Sequence, residues 1–261
     1  MLRYIPRGID REPLPGFSPW ASRLLQDRGI DTPEKAQAFL HPSLDQLHDP
    51  FLFRDMEKAV DMIRQAIGEG QPICVWGDYD VDGICASSIL LERFRLMGAD
   101  VRVYIPSRAE GYGVNCEGIR RLAEEGIRLL ITVDCGITNH EEVRLARSLG
   151  MRVIVTDHHE PPEEASPADA VMDPKLKDCG YPCPHLCGAG MAFKLVQALC
   201  GPDEAAEHID LAAIATVADM VMLVDEDRVI VRLGLEKLAG TRRPGLRQLM
   251  TLAGVHAPVL S

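Results

Sequence analysis

No apolar run in this 261-residue chain reaches the roughly 18 residues that a helical membrane crossing needs. Residues 1–10 also lack the apolar stretch of a secretion signal. Both absences point to a soluble chain of the cytoplasm. Basic residues are scarce: 28 Lys and Arg stand against 39 Asp and Glu, a formal net charge of −11. That is the reverse of the basic footprint of a simple nucleic-acid binder, so any polyanion must be held locally, through metals and a few arginines. No repeat or low-complexity segment is visible, and no C-x-x-C pair occurs. Cys74, Cys85, Cys135 and Cys200 lie inside apolar stretches, which suits reduced core thiols better than a disulfide framework. Cys179, Cys183, His185 and Cys187 crowd together, but Pro182 and Pro184 interrupt them, and a Pro-rich loop is expected there in preference to a zinc site.

With 46% hydrophobic residues, the chain can bury a substantial core in one large or two modest domains. Residues 20–40 carry two short helical patterns, the second opening on Thr32 as N-cap and Pro33 at the first helical position. A third helix is expected over 53–68, where Met56, Val60, Ile63 and Ile67 recur at helical spacing. Short Val- and Ile-rich runs at 73–77, 101–106, 129–134 and 153–157 then read as strands covered on both faces. Helical patterns separate them at 84–97, 117–125 and 141–149, the last with Asn139 as candidate N-cap and Glu142 three residues on. Alternation of strand and helix implies βαβ crossovers. The fold class is therefore α/β, a mainly parallel sheet with helices on both faces, preceded by a short helical segment. A last strand at 170–172 and helices at 191–199, 204–217 and about 227–238 complete the pattern.

Acidic residues and histidines cluster where these strands end. Asp78-Tyr79-Asp80-Val81-Asp82-Gly83 fits the opening of an EF-hand loop, but that loop needs a Glu at its twelfth position, where Ile89 stands. An ordinary strand-to-helix turn explains one or two acidic residues as N-caps, but not three at alternate positions. Asp134 ends an apolar strand and precedes Cys135-Gly136; alone it reads equally as a cap or a ligand. In Asp157-His158-His159 the pleat lets only one imidazole point at a given spot, so one is expected as a ligand and the other facing substrate. Asp219, alone, is a helix-end residue. If the strands lie parallel, their carboxyl ends bring these groups together as a metal site.

The motif series resembles that of the DHH phosphoesterases, and within them the RecJ-type single-strand-specific exonucleases. The residues that carry the resemblance are Gly77 to Gly83, Ile105-Pro106-Ser107-Arg108 with Glu110-Gly111-Tyr112-Gly113, Val133 to Ile137, Asp157 to Glu160, Gly188-Ala189-Gly190-Met191-Ala192 and Ala215-Thr216-Val217-Ala218-Asp219. The resemblance implies two divalent ions, Mn²⁺ or Mg²⁺, held by Asp80, Asp82, Asp134, His158 and Asp219, with Asp134 bridging them. It further implies that Asp78 and Asp157 orient the ligands and that His159 and Arg108 face the phosphate, Asp134, His159 and Arg108 being the catalytic set. Hard oxygen donors with imidazole suit such ions, and a two-ion clamp suits in-line phosphoryl displacement.

The activity so implied is 5′-to-3′ hydrolysis of single-stranded DNA to 5′-mononucleotides, in repair and recombination, with single-strand-binding protein or helicase as partners. Family members continue into a second, smaller domain and RecJ-type chains into an oligonucleotide-binding fold, and neither is expected within these 261 residues. The expected organisation is thus a helical segment over 1–69 packed on the catalytic domain, the DHH domain over 70–240 and the start of a linker over 241–261. Two other readings stay open: a small-substrate phosphodiesterase acting on short oligonucleotides or cyclic dinucleotides, and a non-catalytic replication scaffold of the same fold.

Overall fold

A computed structural model describes residues 12–255, so the reading of residues 1–10 and the end of the expected linker lie outside the described residues. The chain divides into two compact units, one up to Gln46 and one from Leu47 onward. In the first, α1 (Pro19–Gln26) and α2 (Pro33–Leu40) each begin with a proline behind a hydroxyl cap. The Ser18 side chain accepts from the Ala21 N–H, and that of Thr32 from the Lys35 N–H. Leu14, Leu25, Ile30 and Ala36 form this unit's small core.

The second unit is built on five parallel strands: β1 (Ile73–Trp76), β2 (Val101–Tyr104), β3 (Leu129–Val133), β4 (Arg152–Thr156) and β5 (Ala170–Met172). Their order is β2-β1-β3-β4-β5. Every residue of β1 and β3 is buried, which is why these runs read as continuously apolar instead of alternating. Helix α5 (Cys116–Glu124) and helix α6 (His140–Ser148) cover the sheet face of Cys74, Trp76, Leu130, Val153 and Val155. Helices α3 (Met56–Gly68), α4 (Val81–Leu96) and α7 (Gly188–Cys200) pack on the sheet's other side, and α9 (Ile209–Ala218) and α10 (Asp225–Ala239) lie beyond them. Each large side chain sealed in these layers, Trp76, Phe94 and Phe193 among them, stabilises the fold by roughly 1.5–3 kcal/mol.

Several elements differ from the sequence-based expectation. Helix α4 starts at Val81 and not at residue 84, because Asp80 is its N-cap: Oδ1 accepts the Gly83 N–H at 2.9 Å. The helix expected over 204–217 is two, α8 (Pro202–Ala206) and α9. Tight turns end the first, with the Glu207 and His208 N–H groups donating to Glu204 and Ala205, and His208 is buried with Nδ1 3.2 Å from Glu92. Asn139 makes no cap with its side chain. Its amide donates instead to the Val114 carbonyl and to Glu142, so it ties α6 to the loop before α5. Residues expected as linker include a helix, α11 (Pro244–Leu252), none of whose residues is buried.

All eight cysteines are free. Cys179 donates to the Pro174 carbonyl, Cys183 to Asp227, and Cys187 caps α7 at Gly190, so the Cys-rich segment is spread over three separate contacts. Among the described residues no helix is long and apolar enough to cross a membrane.

Candidate metal centre

Strand order fixes where chemistry gathers. From β1 the chain crosses to β2 on one side, while β3, β4 and β5 follow on the other, so the crevice beyond the carboxyl ends of β1 and β3 is the switch point of the sheet. Asp78 leaves β1 there and Asp134 leaves β3, with Asp157, His158 and His159 following β4.

Close backbone approach holds these ends together. A Cβ at Gly83 would lie 2.6 Å from the Asp78 backbone nitrogen and oxygen, so the first turn of α4 rests on the end of β1. A Cβ at Gly188 would lie 2.6 Å from the Asp134 Cβ, which puts the start of α7 directly against β3. Asp134 itself is left-handed at φ 59°, a conformation that costs a non-glycine residue on the order of 1 kcal/mol.

Asp82 spans the crevice. Its Oδ2 accepts the Gly188 N–H at 2.6 Å and its Oδ1 the Ala189 N–H at 2.7 Å, a carboxylate on the positive end of α7. His158 Nε2 lies 3.0 Å from Asp134 Oδ1 and 3.5 Å from Asp82 Oδ2, and its Nδ1 is 3.8 Å from Asp219 Oδ2. Two groups of ligand atoms, each within 4.8 Å of one another, result: Asp78, Asp80 and Asp134 in one, Asp82, His158 and Asp219 in the other. A third such group, Asp134 with His158 and His159, overlaps both.

Asp78, expected only to orient ligands, therefore has an oxygen of its own at the centre. The residue is 1% exposed and Oδ1 has no hydrogen-bond partner among the described residues. Asp157 accepts four hydrogen bonds. Its Oδ1 accepts from the His158 N–H, the His159 N–H and His159 Nδ1, and its Oδ2 from the Ile137 N–H. Of the two imidazoles, His158 is enclosed among carboxylates, whereas His159 is 46% exposed and turns outward.

Electrostatics mark the centre as unbalanced without cations. Burial first, then the charges of Asp82 and Asp80, push the Asp134 carboxyl up to about 10. Burial likewise raises Asp78 and Asp82. Burial opposes ionisation of Asp157 too, but the hydrogen bonds from His159 and the backbone N–H of Ile137 outweigh it and hold that carboxyl low. The bond to Asp157 in turn raises His159. A crowded set of hard oxygen donors with one enclosed imidazole and an unpartnered buried carboxylate oxygen fits Mn²⁺- or Mg²⁺-like cations.

Arg108 is exposed, its guanidinium 4.9 Å from the centre of the Tyr79 ring. Tyr112, a motif residue to which the sequence assigned no role, meets Tyr79 edge-on at 6.4 Å and His159 at 6.0 Å. Its hydroxyl donates to the Asp134 carbonyl at 3.1 Å. The backbone donors of Gly188 and Ala189 were equally unreadable as partners of Asp82, since they lie 106 and 107 residues away in sequence.

Fold and site together define a doubly wound α/β protein with a carboxylate and imidazole centre, of the kind that holds divalent cations, at its switch point. The family model described as DHH family, N-terminal domain, matches residues 72–223, and the chain belongs to the DHH family. It is 46% identical over 241 residues to the single-stranded-DNA-specific exonuclease RecJ of Bacillus subtilis (strain 168), a match covering 91% of this chain and 30% of that protein. Two crystal structures of RecJ from Thermus thermophilus superpose on it. The complex with Mn²⁺ has a TM-score of 0.76 at 33% identity, covering 91% of this chain and 34% of the other. The complex with Mg²⁺ has a TM-score of 0.61 at 27% identity, covering 92% and 31%. The chain thus spans about a third of the length of these relatives.

Proposed function

We propose that this chain is the catalytic core of a metal-dependent, single-strand-specific DNA exonuclease that works from the 5′ end and releases 5′-mononucleotides, in DNA repair and recombination in the cytoplasm. The observation that carries the reading is the convergence of Asp78, Asp80, Asp82, Asp134, His158 and Asp219 at one switch point. The likeness to RecJ proteins over most of the chain supports the substrate class. Remaining domains of a longer protein, and single-strand-binding protein or a helicase, are the partners that this reading implies.

Asp80, Asp82, Asp134, His158 and Asp219 would hold two Mn²⁺ or Mg²⁺ ions, with Asp78 close enough to join them. Such ions, when bound, supply Lewis-acid stabilisation of charge on the attacking and leaving oxygens of an in-line displacement. The chain's own part begins with the backbone N–H groups of Gly188 and Ala189, which fix both Asp82 oxygens and hold that carboxylate in one orientation at the crevice. Asp157 sets the rotation of His159 and the path of the backbone through residues 157–159. Arg108 and His159 meet the charge of the incoming phosphate, which the carboxylates repel; a planar guanidinium grips two phosphate oxygens at once. The chain's acidic balance then leaves strand binding to these few cations and to further domains.

The test is the product pattern from a 5′-labelled single strand incubated with the chain and Mn²⁺, beside the same sequence as duplex and a dinucleotide. Labelled mononucleotide from the single strand alone supports the reading. Faster hydrolysis of the dinucleotide would make this a small-substrate phosphodiesterase instead.

A further inference from the structure

The loop between β2 and α5 carries Arg108 and Tyr112 over the centre, and its two ends are held very differently. At its base the Trp76 indole N–H donates to the Gly113 carbonyl at 3.2 Å, and the Asn139 side chain bonds the Val114 N–H and carbonyl. At its tip, residues 107–112 are exposed. Two side chains link that tip to the metal centre: Arg108, over the ring of Tyr79, and Tyr112, which alone of the two hydrogen-bonds the Asp134 turn.

The Tyr112 hydroxyl has a single hydrogen, and the Asp134 carbonyl 3.1 Å away can only accept, so the hydrogen lies on that bond. The same oxygen is 3.3 Å from His159 Nε2. The carbonyl belongs to the residue held at φ 59°, and a donor on it helps keep the turn in its left-handed form. The ring meets Tyr79 edge-on at 6.4 Å, and Tyr79 carries the Arg108 guanidinium on its face at 4.9 Å. One phenol therefore touches the turn that aims Asp134, the imidazole beside it, and the aromatic seat of Arg108.

We propose that Tyr112 is a positioning residue: through its hydroxyl it locks the Asp134 turn to the Arg108 loop, so that the metal-holding carboxylates and the phosphate-gripping cations keep one fixed spacing. The catalytic consequence rests on the exonuclease reading above. The consequence for metal binding does not.

The decisive variant is Tyr112→Phe, which keeps the ring and removes only the hydroxyl. Mn²⁺ affinity is measured from the free-ion signal in electron paramagnetic resonance, and kcat and KM on a 5′-labelled single strand, with thermal melting as a check on folding. Loss of an orienting hydrogen bond of this kind costs about tenfold in metal affinity or turnover. The expected result is Mn²⁺ binding weakened about tenfold, kcat lowered by about the same factor, KM changed less than about threefold, and melting nearly unchanged. Tyr112→Leu, which also removes the edge contact to Tyr79, should in addition raise KM. Mn²⁺ affinity and kcat both within about twofold of the parent in Tyr112→Phe would overturn the proposal. If the parent chain proves inactive on single strands, the exonuclease reading fails, yet the Mn²⁺ comparison still decides the role of Tyr112.

Discussion

The Asp82 carboxylate is bound at both oxygens by consecutive N–H groups of Gly188 and Ala189, and the same Gly188 presses against Asp134 with no room for a side chain. One glycine thus sets the distance between a carboxylate in the first turn of α4 and one that leaves β3. Gly188→Ala puts a methyl group 2.6 Å from the Asp134 Cβ and 3.0 Å from its Cα, so backbone must move. The expected outcome is a loss of about 1–3 kcal/mol in chemical denaturation together with weakened Mn²⁺ binding. Unchanged Mn²⁺ affinity would mean that the two carboxylates need no fixed spacing.

Glu110 staples the tip of the Arg108 loop. Its carboxylate accepts from the Ser107 N–H at 2.8 Å, from the Ser107 hydroxyl at 2.7 Å and from the Tyr104 hydroxyl. Those bonds, the Tyr104 bond first, hold it down to about 2, so it is ionised at any working pH. Glu110→Ala should release Arg108 from its perch and raise KM for a single strand by about fivefold, with kcat little altered, since uniform binding is what is lost. Steady-state kinetics with the labelled strand check this.

Lys194 and Glu226 are both fully buried and lie 3.0 Å apart, with the Lys194 ammonium also donating to the His48 carbonyl at 2.7 Å. Burial lowers the Lys194 pKa, but Glu226 and the carbonyl keep it paired. Lys194→Met removes the cation from the buried Glu226 carboxylate and leaves it only the Tyr181 hydroxyl and the His48 N–H as donors, at a cost of roughly 3–5 kcal/mol in urea unfolding. Adding Glu226→Gln should restore part of that loss.

Asp227 gives a pH dependence away from the metal centre. It is fully buried, Oδ1 has no partner among the described residues, and burial raises its carboxyl to about 7 against an ordinary value near 4. Between those limits the folded chain holds a proton that the unfolded chain has released. This contribution to stability is thus complete below about pH 4 and lost as pH rises through about 7. Asp227→Asn keeps the acceptor for the Cys183 thiol and cannot ionise. Its melting temperature relative to the parent should climb between about pH 4 and about pH 7 and then level off; a constant difference across that range would contradict the assignment.

Much of the centre was legible because strand ends in a parallel sheet must converge, and because Asp134 and the Asp157-His158 pair follow apolar strands, Asp80 opens a helix and Asp219 closes one. The partners that fix them were not. Nothing local to Asp82 reveals that its carboxylate caps a helix 106 residues later, and only a glycine too close for a Cβ records that contact in the sequence. Asn139 looked like a cap because caps are a local matter, yet its amide serves a loop 25 residues earlier. The division at His208 escaped periodicity for a similar reason: buried His208 faces Glu92 on α4, a contact so distant along the chain that no sequence window contains both residues. Tyr112 reads as one more loop aromatic until the carbonyl of Asp134 is seen beneath it.

The number of Mn²⁺ ions bound per chain, with Asp134→Ala measured beside the parent, bears most directly on the metal centre. Two ions per parent chain are expected, with the Asp134→Ala chain folded but holding at most one, weakly. A parent that binds no Mn²⁺, or a variant that binds as the parent does, would contradict the centre described here.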